Sequence, residues 1–465
     1  MEALWIVFVV AFGAFMLVTR FGNYRKARSA WQEFARRRGY EFEAGGAFRT
    51  QAVRGRAGDV SVTLDTFSRG SGKSRTTYTR LVVDPRGLVP GSIEIKKEGF
   101  AASIAKAFGG EDVETGDAAF DAAARVRGDS ETILAALDDK TRRRIERALG
   151  AGVTISKGVL SWEAAGWFHD LDTLLYLESE MTALAQALSI PVGGIPGRLR
   201  ENVERDSSPP MRRRCLETLL ANYPDHEATA AAARAALGDR AAEVRAIAAE
   251  SLRGEGDATL VAVALDDTAP GPVRARAIDA IGARFAPGTA RPVVSRALDA
   301  PPGPARAAAI RWAGRLRCDG AAERLAAMVA ARDGLDAATG EAIGSALGVL
   351  GDPRGERAAI ALLSHEDASV RLAAVKALAK IGGRDAVEPL LPFSKSLLDF
   401  GDLKPAAAGA IRAIQSRLGG AERGALSMAE ILKTDGALST PESESGGLAV
   451  SRESDGEATA PKDPA

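Results

Sequence analysis

Three kinds of residue in this chain could do chemistry: a Gly-Lys-Ser phrase, several carboxylate pairs, and a few scattered cysteines and histidines. The phrase lies in Ser68-Arg-Gly-Ser-Gly-Lys-Ser-Arg-Thr-Thr77 and has the ending of a phosphate-binding loop. Such a loop needs G-x-x-x-x-G-K-[ST] leading from a strand into a helix whose first N–H groups cradle phosphate. Here the first glycine is replaced by Phe67, and Ser74 is followed by Thr76, Thr77, Tyr78 and Thr79, residues suited to a strand. The phrase therefore reads as the basic tip of a β-hairpin. A nucleotide-controlled switch or enzyme using Lys73 stands as the alternative. Asp117 with Asp121, and Asp170 and Asp172 with Glu178 and Glu180, are close in sequence. Acid–base catalysis needs such groups to converge with separated pKa values, and caps or solvated helix faces explain the spacing as well. Cys215 and Cys318 sit in apolar helical patterns and read as buried free thiols. His169, His226 and His365 have no partner at metal-ligand spacing. No catalytic, cofactor or metal residue is assigned, and the chain is read as a non-enzyme.

Several elements must position these residues. Val60–Phe67 alternates apolar and polar residues, and Thr77–Val83 is a second β-branched run, so the two form the hairpin around Lys73. Asp117–Gly128 ends in a short strand-like run, Asp129 precedes an apolar-periodic helix, and Asp138 or Asp139 caps the next. Val153–Ser156 with Gly158–Ser161 predicts another hairpin, and a helix follows over about Leu171–Leu188. Together these make a small α+β domain over 41–190.

The opening is uncharged from Ala3 to Thr19, slightly short of the ~20 residues that cross a bilayer core as a helix. With local thinning it reads as a transmembrane anchor over 1–21. A cleaved signal peptide is the rival, but Glu2 precedes the run and Arg20 follows it. Arg20, Arg25, Lys26, Arg28, Arg36, Arg37 and Arg38 face only Glu33, which places the amino terminus outside and the bulk of the chain in the cytoplasm. Cleavage or inversion of the anchor would instead give a secreted or periplasmic binding protein. Over 22–40, Tyr24, Ala27, Trp31, Phe34 and Ala35 share one face of a basic helix. Arg25, Lys26, Arg28, Arg36, Arg37 and Arg38 are candidate lipid contacts, at about 1 kcal/mol for each basic residue near an anionic surface. The competing reading makes the aromatic face core.

Ile190-Pro-Val-Gly-Gly-Ile-Pro-Gly197 and Ser207-Ser-Pro-Pro210 punctuate the chain, predicting a linker over 191–207. A repeat follows. Val244-Arg-Ala-Ile-Ala-Ala-Glu-Ser-Leu252, the stretches from Val273 and Ala305, and Val370-Arg-Leu-Ala-Ala-Val-Lys-Ala-Leu378 share one apolar framework. Arg212, Arg245, Arg274 and Arg306 are separated by 33, 29 and 32 positions, and Arg371 falls two units later. Second apolar helices are expected over Asp257–Leu265, Ala290–Leu298, Ala321–Val329, Gly355–Leu363 and Asp385–Leu391. One such hairpin cannot bury its apolar face alone, so neighbours must stack.

His365-Glu-Asp-Ala-Ser-Val-Arg through Leu391 closely resembles a HEAT repeat of the short bacterial type also found in phycobilisome lyases. The resemblance implies an α–α superhelix over 208–432 with the second helices lining a concave surface, and it does not imply lyase activity. Asp117–Leu137 with the preceding Gly116 loosely resembles a phrase of uncharacterised bacterial membrane-anchored domains. Acids ahead of the repeated arginines, such as Asp239, Asp267 and Asp367, suggest an Asp–Arg ladder between turns. Trp312 and Phe393 interrupt the small-residue pattern as candidate partner-binding anchors, with core filling the alternative.

Residues 433–465 are rich in Ser, Glu, Gly and Pro and are expected to be disordered. Lys+Arg and Asp+Glu both number 61, so no global attraction to nucleic acid follows. The expected protein is mainly α: one transmembrane helix, a small α+β domain and a HEAT-like solenoid. Its expected work is that of a cytoplasmic-face scaffold or adaptor for an unknown protein partner, with no cofactor, small-molecule substrate or nucleic acid.

Overall fold

The computed structural model describes residues 22–45, 50–70, 75–90, 93–97, 112–191, 193–332, 334–395 and 402–418. Among them no helix is long and apolar enough to cross a membrane. The 3–19 run expected to do so lies outside the described residues, as do Ser71–Ser74 and everything from 419 onward, the expected tail included.

Helix α1 (22–38) is followed by strands β1 (Glu41–Glu43), β2 (Ala52–Ala57), β3 (Val60–Arg69), β4 (Thr76–Asp84) and β5 (Glu94–Lys97). Then come α2 (Ala118–Ala123), β6 (Ala124–Arg127), α3 (Ser130–Ala136), α4 (Asp139–Gly150), β7 (Thr154–Ser156), β8 (Val159–Ala165) and α5 (Leu171–Leu188). The strands form one antiparallel eight-stranded sheet in the order β1-β2-β3-β4-β8-β7-β5-β6. Alternation sets its faces. Val60, Val62 and Leu64 of β3, Leu81 and Val83 of β4, and Leu160 and Trp162 of β8 are buried on one side. That side packs on Trp31 and Phe34 of α1 and Leu174, Leu177 and Met181 of α5. The aromatic face of α1 is thus core, and Trp31 Nε1 donates to Phe168 O at 2.9 Å.

The β3–β4 pairing runs without a break from Ser61 opposite Asp84 to Arg69 opposite Thr76. The Gly-Lys-Ser phrase therefore joins two adjacent antiparallel strands, and no helix follows it to supply the N–H cradle of a phosphate loop. That arrangement differs from the strand-to-helix connection a phosphate loop needs.

The stretch 191–207, expected to be a linker, instead carries helix α6 (Ile195–Arg205), with Pro196 in its first turn, where a missing N–H costs nothing. Its Leu199 and Val203 are fully buried. From there helices alternate as first and second members of hairpins. The first members are α7 (Pro209–Asn222), α9 (Ala242–Ser251), α11 (Gly271–Arg284), α13 (Pro304–Arg315), α15 (Ala337–Leu350), α17 (Ala368–Ile381) and α19 (Leu403–Leu418). The second members are α8 (Glu227–Ala236), α10 (Asp257–Leu265), α12 (Pro287–Ala297), α14 (Ala321–Ala331), α16 (Glu356–Leu362) and α18 (Val387–Lys395).

Small residues let the first helices stack closely. A Cβ on Gly314 of α13 would lie 2.8 Å from Ala346 Cα of α15, and one on Gly344 would lie 2.9 Å from Ala373 Cβ of α17. Ala and Gly are abundant, and aromatics scarce, because this layer leaves little room for larger side chains.

The sheet and the start of the array share one core. Leu199, Val203, Met211, Cys215, Leu216, Leu219, Ala232, Val244 and Ile247 belong to the same buried cluster as the sheet residues, and a second cluster runs from Ala242 to Ile414. Asn202 Nδ2 donates to Leu134 O at 2.7 Å, and Asn222 Nδ2 to Glu131 at 2.8 Å, seating α6 and α7 on α3. A single helical hairpin needs a neighbour to cover its apolar face, and at this end the neighbour is the α+β unit. Both cysteines are free and buried.

Candidate interaction surfaces

Arginine–aspartate contacts link successive turns of the array. Arg212, at the start of α7, donates back to Asp206 O at 2.9 Å and forward to both carboxylate oxygens of Asp239 at 2.7 Å. Arg245 repeats this at the start of α9, donating to Asp239 O at 2.9 Å and Asp266 Oδ2 at 3.0 Å. Arg274 pairs with Asp267 at 2.9 Å, Arg306 donates to Ala300 O at 2.6 Å, and Arg371 donates to His365 O and Glu366 O at 2.7 Å. The guanidinium fork suits this double duty, satisfying orphan turn carbonyls on one side and a carboxylate on the other. The hydrogen bonds that Arg212 donates to Asp239 push its pKa up, and hydrogen bonds from Thr268 hold the Asp266 carboxyl below its usual range.

The first rung comes from the sheet unit. Arg142 of α4 is almost fully buried and meets Asp206 in a bidentate pair at 2.8 and 3.0 Å, with Asp117 Oδ2 at 3.0 Å and Leu137 O at 2.9 Å. In sequence Arg142 opens an Arg-Arg-Arg run that reads as a solvated basic face, so nothing marked it out. The Asp117–Asp121 pair is likewise structural. Asp121 accepts from Thr115 and Gly116, and Asp117 accepts weakly from Phe120 N at 3.4 Å while pairing with Arg142. Asp170 caps α5, and Glu178 is buried between Tyr40 Oη at 2.7 Å and Arg38 at 2.8 Å. Burial, and then the Glu178 bond, push the Tyr40 phenol pKa up.

Ion pairs cross between neighbouring first helices on their solvent side. Glu250 of α9 pairs with Arg276 of α11 at 2.7 Å, and Asp279 of α11 with Arg311 of α13 at 3.2 Å. Farther along, Arg315, Val349, Lys376 and Lys380 are exposed on the faces of α13, α15 and α17 that point away from the second helices. None of these three cations has an ion-pair partner among the described residues. Arg315 lies over the Trp312 ring, 5.1 Å from its centroid.

Trp312 itself is half-buried, donates from Nε1 to Asp279 at 2.8 Å, and fills the space opposite Gly282, where a Cβ would come within 2.1 Å of the ring. Phe393 is half-buried against the array core. The candidate lipid contacts divide. Arg25, Lys26 and Arg28 are exposed without ion pairs among the described residues, and Arg36 and Arg37 pair with Glu33 at 2.6 and 2.8 Å. Arg38 is drawn inward by Glu178, Leu175 O and Ser179.

Fold and surface together define a helical-hairpin solenoid built on an antiparallel sheet unit. Residues 330–399 match the family model for HEAT repeats. No curated protein matches the chain. Among solved structures it is similar to human deoxyhypusine hydroxylase in complex with glycerol, at 17% identity over 48% of this chain and 96% of that one, with a TM-score of 0.22. It is also similar to two engineered proteins. One is 16% identical over 62% of this chain and 83% of its own, with a TM-score of 0.31. The other is 17% identical over 54% of this chain and 98% of its own, with a TM-score of 0.25.

Proposed function

We propose that this protein is a non-enzymatic scaffold that holds a partner protein on the solvent side of its first-helix layer. One observation carries the reading: α13, α15 and α17 approach to glycine–alanine contact, so their exposed sides run together as one surface bearing Arg315, Val349, Lys376 and Lys380. The partner-holding surface is therefore assigned to this side of the first helices, where the family resemblance implied the second. HEAT repeats in 330–399 support an interaction role, and the carboxylates near the ladder serve as caps and charge partners. Trp312 and Phe393 act mainly as packing groups, both partly buried against the array core.

The uncharged run Ala3–Thr19, followed by Arg20, Arg25, Lys26 and Arg28, supports a single membrane tether with the bulk of the chain on the cytoplasmic side. Affinity capture from detergent-solubilised membranes tests the scaffold reading. Partners retained by the native chain should be lost when Arg315, Lys376 and Lys380 are all changed to Glu. Retention of every partner by that variant would refute it.

A further inference from the structure

The start of α1, the turn after β8 and the start of β4 meet at one end of the sheet unit. Gly166 N donates to Thr77 O at 2.8 Å, Thr79 Oγ1 to Gly166 O at 2.8 Å, and Phe168 N to Thr79 Oγ1 at 2.9 Å, fixing the 166–168 turn against β4. Trp167 then stands edge-on to Tyr24 with ring centroids 5.0 Å apart, and 6.3 Å from Trp31. Tyr24 and Trp167 are each half-buried, so part of both rings remains in solvent. Arg25, Lys26 and Arg28 follow Tyr24 along α1, and Arg75 precedes β4 two residues before Thr77; all four are exposed and without ion pairs among the described residues. Of the carboxylates on the neighbouring elements, Glu163 is engaged by Arg69 at 2.8 Å, Asp65 by Arg80 at 2.7 Å and Asp170 by the α5 cap, while Asp172 is exposed.

We infer that this end of the sheet unit docks on the headgroups of an anionic bilayer. Tyr and Trp rings with one apolar and one polar side, beside unpaired Lys and Arg, suit the bilayer–water interface. Position agrees with chemistry. The three residues from Thr19 to Gly22 span at most about 10 Å, so a membrane-held 3–19 run brings this end to the headgroups. The inference rests on the tether in the proposed function and adds to it the surface, the orientation and the lipid charge. Arg75, one residue before β4, adds a fourth exposed cation on the Thr77 side of the 166–168 turn.

The test uses the full chain reconstituted in vesicles of phosphatidylcholine, alone or mixed equally with phosphatidylglycerol. A polarity-sensitive fluorophore is placed on Thr76→Cys, with Ser364→Cys as a control on the distant array. Both sites are exposed, whereas the native cysteines are buried. The expected result is a blue shift at position 76 only, in the anionic vesicles only, with headgroup-level quenching. Changing Arg25, Lys26 and Arg28 to Glu should reduce the docked fraction more than about tenfold. Changing them to Gln should give a smaller loss and checks that charge is responsible. A carbonate-resistant chain whose position 76 stays fully hydrated in anionic vesicles would overturn the docking inference and leave the tether standing. Release of the chain by carbonate would overturn both.

Discussion

Replacing Asp206 by Asn should destabilise the sheet unit and the start of the array together. Asp206 is buried and holds Arg142, whose side chain is 2% exposed, through two bonds of 2.8 and 3.0 Å, while also accepting from Ser208 N at 2.9 Å. Removing one partner of a buried pair costs about 3–5 kcal/mol because the other charge is left uncompensated. Here Asp117 and Leu137 O still reach Arg142, which places the loss near the lower end, about 3 kcal/mol, or roughly a hundredfold in the unfolding equilibrium. Urea unfolding of the full chain measures it, followed by fluorescence from the buried Trp31 and Trp162 and by far-ultraviolet ellipticity from the helices. Both signals should shift, because α3, α6 and α7 share one core. Pairing Asp206→Leu with Arg142→Met should recover most of the loss, since apolar replacement of a buried pair is often close to neutral. A single variant within about 1 kcal/mol of the native chain, or a double variant no better than the single, would refute the first rung as a structural tie.

Further expectations follow from packing and titration. Gly314→Val should cost about 1–3 kcal/mol or more, measured by thermal unfolding, because its Cβ meets the backbone of Ala346 rather than a movable side-chain tip. Glu178→Ala should cost about 2–3 kcal/mol, leaving the Tyr40 hydroxyl and the part-exposed Arg38 without their shared carboxylate, and Glu178→Gln should cost less. Asp266, Asp336 and Asp367 are held below the usual carboxylate value of 3.8 by hydrogen bonds from Thr268, Thr339 and Ser369. Their folded-state values are depressed, so the stability they add is present above 3.8 and lost as pH falls through the lower folded values. Asp367→Asn should therefore flatten the acid limb of a urea-midpoint titration, and an unchanged limb would contradict its capping role.

Much of the fold is legible where local chemistry and tertiary packing agree. The α5 boundaries follow from Asp170 as cap and the apolar period beyond it, β3 from strict alternation, β4 from its β-branched run, and α10 from the repeat. Elements whose residues look wrong in isolation are not legible. Strand β2 contains Gly55, which weakens any strand signal, yet that glycine makes room for the Tyr40 ring, whose Cδ1 would lie 2.0 Å from an added Cβ. Helix α6 hides in a Pro/Gly stretch because Pro196 occupies the one turn that tolerates it. The ladder is anticipated from Asp239, Asp267 and Asp367, and Asp267 does pair with the Arg274 that follows it, but other partners are not anticipated. Asp239 accepts from Arg212 of the preceding unit, and Arg142 enters from a different layer of the fold. The close approach of α13, α15 and α17 rests on glycine positions that meet alanines of the next unit, and these meetings appear only once the stack is formed.

The most direct test of the scaffold role is site-specific photo-crosslinking in cells from two exposed positions on opposite layers of the same region, Lys376 on α17 and Arg357 on α16. The expected result is a discrete protein adduct from position 376, competed away when Arg315 and Lys380 are changed to Glu, and none from position 357. Adducts from position 357 alone, or none from either position, would contradict the assignment of the first-helix layer as the partner-holding surface.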